Sequence, residues 1–121
     1  MPKYVALFSY SGDAWGRMVQ NPADRAEAYR RVVENLGGKL ECVYWMFGDY
    51  NGLTIFEAPD SVTAGAMVAA VLGSGAVRTS THELFTMEDA VTLLNKAKSA
   101  TSEYRRPGAY MGGGGAHCVL Q

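Results

Sequence analysis

The stretch Lys39–Ala58, KLECVYWMFGDYNGLTIFEA, decides the fold. Its first nine residues alternate like a strand. Leu40, Cys42, Tyr44 and Met46 share one face, and Glu41, Val43, Trp45 and Phe47 share the other. Both faces are largely apolar. Gly48-Asp49-Tyr50-Asn51-Gly52 is turn chemistry, with Gly52 expected to supply a positive φ. Leu53–Ala58 is a second strand. So short a connection requires an antiparallel hairpin.

Working outward, the pattern repeats on either side. Lys3–Tyr10 alternates as a strand, and Ala14–Val19 forms a short helical turn with Trp15, Met18 and Val19 on its apolar side. Asn21-Pro22 predicts a helix start, and Ala26, Tyr29, Val33 and Leu36 recur at helical spacing until Gly37-Gly38 stops them. Beyond the hairpin, Asp60 is placed to cap a helix over Ser61–Leu72, apolar nearly all round and therefore expected to be deeply packed. Val77–Phe85 is the fourth strand. Thr86-Met87-Glu88-Asp89 resembles a capping box for a last helix reaching about Ser99. This order of elements is the split pattern of a ferredoxin-like α+β sandwich with an extra C-terminal helix and an irregular tail, read as a domain of residues 1–100 and a glycine-rich segment of 101–121.

An antiparallel sheet of this kind takes helices on one face. The other face is expected to carry Tyr, Phe, Trp and Leu instead of Lys and Glu, and a patch of that size marks an interface. The expectation is a homo-oligomer through the sheet face, a dimeric α+β barrel-like assembly. A tail folded back on its own sheet is the competing arrangement, but the glycine-rich segment has few large apolar groups with which to seal a sheet.

Composition narrows the function. The chain has 121 residues and a formal net charge of -1, with 48% apolar and 19% charged residues. That balance lacks the basic footprint of nucleic-acid binding. No apolar run is long enough to cross a bilayer, so no membrane association is expected and the protein is read as cytoplasmic. Two cysteines make no disulfide framework.

Six separated motifs fall in a recognisable order: Pro2-Lys3-Tyr4, Gly37-Gly38-Lys39-Leu40-Glu41, Phe47-Gly48-Asp49-Tyr50, Glu57-Ala58-Pro59-Asp60, Ser74-Gly75-Ala76-Val77-Arg78-Thr79, and Tyr104-Arg105 with Pro107-Gly108. Together they resemble the GYD-domain family of small bacterial proteins, named for a Gly, a Tyr and an Asp in the central hairpin. Gly48 and Tyr50 match, whereas Asn51 stands at the acidic position. The resemblance implies a ferredoxin-like, dimeric fold and no established reaction, so it carries over no catalytic residue.

The residues themselves offer several candidates. Asp49, Tyr50 and Asn51 set an acid, a phenol and an amide together, a group able to bind a polar ligand or donate a proton, although the same types serve a turn. Arg78 and His82 share a strand face with Ser80 between them. His82 would act as base and Arg78 would orient an oxyanion; alternatively both face a partner subunit. Trp45, with Tyr44, Phe47, Tyr50 and Phe56, either lines an apolar ligand pocket or simply packs. Cys42, His82, His117 and Cys118 are zinc-type ligands, but their spacing fits no metal hairpin, so no metal and no cofactor are assigned. Cys118-Val119-Leu120-Gln121 matches a prenylation pattern that a bacterial protein does not use, and the tail glycines lack the setting of a phosphate loop. Two readings of function follow. One is a homo-oligomeric small-molecule-binding or assembly module. The other is a small cofactor-independent enzyme, of monooxygenase, decarboxylase or isomerase type, using a cavity between sheet and helices.

Overall fold

Four strands and three helices alternate through the first 85 residues of the computed structural model, which describes residues 1–108. The elements are β1 (Lys3–Tyr10), α1 (Gly12–Gln20), α2 (Ala26–Asn35), β2 (Lys39–Trp45), β3 (Gly52–Glu57), α3 (Ser61–Leu72), β4 (Val77–Leu84) and α4 (Met87–Ala100). The chain divides into two compact units, residues 1–85 and a second that begins at Thr86. The architecture is mixed α+β, with one four-stranded sheet in the order β2-β3-β1-β4 and every neighbouring pair antiparallel.

In the first unit the alternation of β1 decides which side is dry. Tyr4, Ala6, Phe8 and Tyr10 are buried against the helices, while Val5, Leu7 and Ser9 are half-buried on the opposite face. One part of the core joins Tyr4, Ala6, Phe56 and Ala58 of the sheet side to Val33 of α2 and Ala64 and Met67 of α3. The other joins Phe8, Tyr10 and Val77 to Ala14 of α1 and Tyr29 of α2. The large aromatic residues of β1 and β3 therefore lie under the helices, not on the helix-free face where the sequence pattern expects them. That face is aliphatic at its centre.

The register of β2 explains a second departure. A bulge between Leu40 and Cys42 puts one extra residue into the strand. Leu40 pairs with Phe56 and Val43 with Thr54, both on the helix side, while Cys42 pairs with Ile55 and Tyr44 with Leu53 on the other. Simple alternation groups Leu40 with Cys42 and Tyr44; the bulge separates them.

Helix boundaries follow their caps. Asp60 accepts a hydrogen bond from the Thr63 amide at 2.8 Å, and α3 runs over the expected Ser61–Leu72. Only Ala64 and Met67 of α3 are buried, and Val62 is 82% exposed, so this helix is not deeply packed despite its composition. Its many alanines make it apolar all round, yet only one side meets the sheet. Asn21-Pro22 does not start α2. The Asn21 amide instead ends α1 by donating to the Arg17 carbonyl at 2.9 Å, and Asp24 accepts from the Ala26 amide at 2.8 Å, just before the helix begins. In the second unit, Thr86 caps α4 by accepting from the Asp89 amide at 3.0 Å. Among the described residues no helix is long and apolar enough to cross a membrane.

Candidate functional site

The loop between β2 and β3 is fastened to β1 at several points. The Asn51 amide donates to the Phe8 carbonyl at 2.8 Å and Ser9 Oγ lies 3.5 Å from the Asp49 carbonyl it donates to, while within the loop the Met46 amide donates to the Asn51 carbonyl at 2.7 Å. Gly48 provides the backbone freedom here, with φ of 114°. Gly52 does not adopt a positive φ; it is needed for space, because a Cβ there would meet Phe8 Cζ at 2.3 Å and the Tyr44 carbonyl oxygen at 2.6 Å.

So anchored, the loop brings Asp49 and Tyr50 beside β4. Ser9, Asp49, Tyr50, Arg78, Thr79 and Ser80 line one cleft of about 380 Å³. Ser9 and Arg78 are cross-strand partners in the β1–β4 register. Among the described residues, neither the Arg78 guanidinium nor the Asp49 carboxylate makes an ion pair or a side-chain hydrogen bond.

The remaining candidates lie elsewhere. His82 is exposed on β4, its Nε2 hydrogen-bonded to Ser80 Oγ at 2.9 Å, and it is not among the residues lining the cleft. Trp45 turns toward the helix side, packing edge to face on Tyr10 and Trp15 with ring centroids 5.7 and 5.3 Å away. Asn51 joins that aromatic group as a clamp. Its Oδ1 accepts from the Tyr10 amide at 2.9 Å and from the Trp15 indole N–H at 3.2 Å. The structure thus unites Asp49, Tyr50 and Arg78 and sets His82, Trp45 and Asn51 apart from them. His117 and Cys118, invoked with Cys42 and His82 as metal ligands, lie outside the described residues, as do the tail glycines and the terminal Cys-Val-Leu-Gln.

Between sheet and helices the open volume is only about 50 Å³, lined by residues such as Ala6, Phe8, Val33, Phe56 and Met67. A small-molecule site takes roughly 300 Å³ or more. Among the described residues no carboxylate, imidazole or guanidinium faces this space. The hydroxyls of Tyr10 and Tyr29 are hydrogen-bonded to one another nearby; burial, then that bond, pushes the Tyr29 pKa far above its ordinary value. Tyr29 is thereby a fixed hydrogen-bonding group and not an acid at neutral pH.

The helix-free face forms the other feature of note. Leu53 and Leu7 pair with one another, as do Ile55 and Val5, and all four side chains are half-buried. Cys42 and the 66%-exposed Tyr44 extend the row onto β2. At one end Lys3 Nζ pairs with Glu41 at 2.8 Å, a hydrogen bond that holds the lysine pKa above its usual value. At the other end stand Ser9 and Arg78, while Ser80 and His82 of β4 flank Leu7 and Val5 along the row. None of α1, α2 or α3 packs here, because their core partners lie on the opposite side of the sheet.

A family model for the GYD domain matches residues 4–94. The chain belongs to the GYD-domain family. A curated relative of this GYD domain, from Thermus thermophilus, is 24% identical over 94 residues, which is 78% of this chain and 99% of the relative; it is named glutamine synthetase and cystathionine beta-lyase binding protein. A crystal structure of a protein from the same organism aligns with 71% of this chain and 95% of its own at 20% identity, with a TM-score of 0.47.

At Asn51 the structure uses an acceptor oxygen between two N–H donors, a task that an amide and a carboxylate both perform. Ser9, Thr79 and Ser80 escaped the sequence reading as cleft residues. Their membership depends on the β1–β4 register, which alternation alone does not set.

Proposed function

We propose that this GYD domain is a non-catalytic assembly module: a ferredoxin-like fold, residues 1–100, that pairs with a second copy through the helix-free face of its sheet and in that form holds a protein partner. The aliphatic row Val5, Leu7, Leu53 and Ile55, with no helix of its own unit upon it, carries the reading. Burying about 400 Å² of such surface at about 25 cal/mol per Å² supplies about 10 kcal/mol, comparable with the cost of association. The polar ends of the row, Lys3–Glu41 and Ser9 with Arg78, fit a rim around an apolar centre. A partner-holding role is also in line with the Thermus relative, which is named for binding two enzymes. Trp45, on the helix side, and the fully exposed Phe47 offer an aromatic surface for such a contact.

Sedimentation equilibrium of the full chain at micromolar concentration tests this. The expected mass is twice the 13.1 kDa of one chain, falling to one chain in Leu7→Glu. Tyr44→Glu, at an exposed position, weakens pairing without loading the fold. A wild-type monomer overturns the reading, and so does a dimer that both substitutions leave intact.

A further inference from the structure

We propose that the Asp49–Arg78 cleft binds a small zwitterion of the free α-amino-acid type, its carboxylate on Arg78 and its ammonium on Asp49. The argument starts from two uncommitted charges. Arg78 and Asp49 line the same cleft, yet no ion pair joins them, and among the described residues neither has another charged or hydrogen-bonding side-chain partner. Each is tied to a separate wall. Arg78 projects from β4, and Asp49 sits on a loop pinned over β1 through the Phe8 carbonyl and Ser9. Ser9, across from Arg78 in the register and hydrogen-bonded to the Asp49 backbone, lies between them.

The volume, about 380 Å³, suits a small molecule. Charge then selects among small molecules. A simple anion would meet Arg78 but face the Asp49 carboxylate, and a simple cation would face the guanidinium. A neutral ligand would leave both ions unanswered. A molecule carrying a carboxylate and an ammonium on one carbon answers both, the carboxylate being the natural match for the planar guanidinium fork. The hydroxyls of Ser9, Ser80 and Tyr50 supply further donors and acceptors around the remaining polar atoms.

The cleft shares Ser9 and Arg78 with the rim of the proposed pairing face, but its ligand contacts do not require pairing. Failure of pairing is read by sedimentation, and failure of the site by titration. The full chain, labelled with nitrogen-15, is titrated with glycine, L-alanine and L-glutamine, and in parallel with N-acetyl-alanine and alanine amide. The expected result is a saturable shift of the Ser9, Asp49, Tyr50 and Ser80 amides with a free amino acid. Either blocked form should bind at least about tenfold more weakly, because one charge-assisted contact is lost. Arg78→Gln and Asp49→Asn should each weaken binding to a similar degree with an unchanged melting temperature. Absence of a saturable shift at millimolar ligand overturns the proposal. So does equal binding of a blocked form, or full affinity in either variant.

Discussion

Replacing Asn51 with leucine isolates the clamp that fixes the hairpin loop. The leucine keeps roughly the same bulk and leaves the two backbone bonds of residue 51 in place. It removes Oδ1, which accepts from the Tyr10 amide at 2.9 Å and the Trp15 indole at 3.2 Å. A donor left unpaired in the interior costs about 1–3 kcal/mol. Both bonds are half-buried, so water recovers part of that, and about 2–3 kcal/mol is expected for the pair. Urea unfolding followed by tryptophan fluorescence suits the measurement, since Trp15 and Trp45 lie edge to face at 5.3 Å and separate on unfolding. With a slope of about 1–2 kcal/mol per molar, the midpoint should fall by roughly 1–3 M. Asn51→Asp retains an acceptor and should stay close to wild type. A leucine variant as stable as wild type, or an aspartate variant as weak as the leucine one, would refute the clamp.

Three further outcomes follow from named contacts. Gly52→Ala forces a methyl to within 2.3 Å of Phe8 Cζ and 2.6 Å of a backbone oxygen, and should cost about 2 kcal/mol by calorimetry. Tyr4 has a buried hydroxyl with no hydrogen-bond partner among the described residues, and burial raises its pKa; Tyr4→Phe should be neutral or stabilising by about 1 kcal/mol in chemical denaturation. The Thr63 amide holds the Asp60 pKa below its ordinary 3.8, so this cap stabilises fully above that value and fades as pH falls through the lowered one. Asparagine caps without titrating, so the melting temperature of wild type relative to Asp60→Asn should drop between about pH 6 and about pH 2, and a constant difference would contradict the cap.

Alternation and capping made most of the elements legible in the sequence. β1, α3 and its Asp60 cap, and the Thr86 cap of α4 stand where the pattern puts them, because each rests on local chemistry. The start of α2 does not, since Asn21 lies at the end of α1 and Asp24 is the side chain that meets the first α2 amide. The face assignment of β2 fails at the bulge, which inserts a residue that no periodicity announces. The aromatic residues of β1 were visible as one face, but which face the helices cover is a tertiary choice, and they cover the aromatic one. At the site, Asp49, Tyr50 and Arg78 are drawn together by a loop anchored on β1, whereas four residues along one strand separate His82 from Arg78. Asn51, a ligand candidate by residue type, is consumed by two N–H donors from distant parts of the chain.

The pairing of sheets is tested most directly by isotope-filtered NMR on a mixture of labelled and unlabelled full-length chains. Methyl groups of Val5, Leu7, Leu53 and Ile55 in one copy should show contacts to the same methyls in the other. Contacts confined to a single chain, whether among these strands or to residues beyond Phe85, would contradict it.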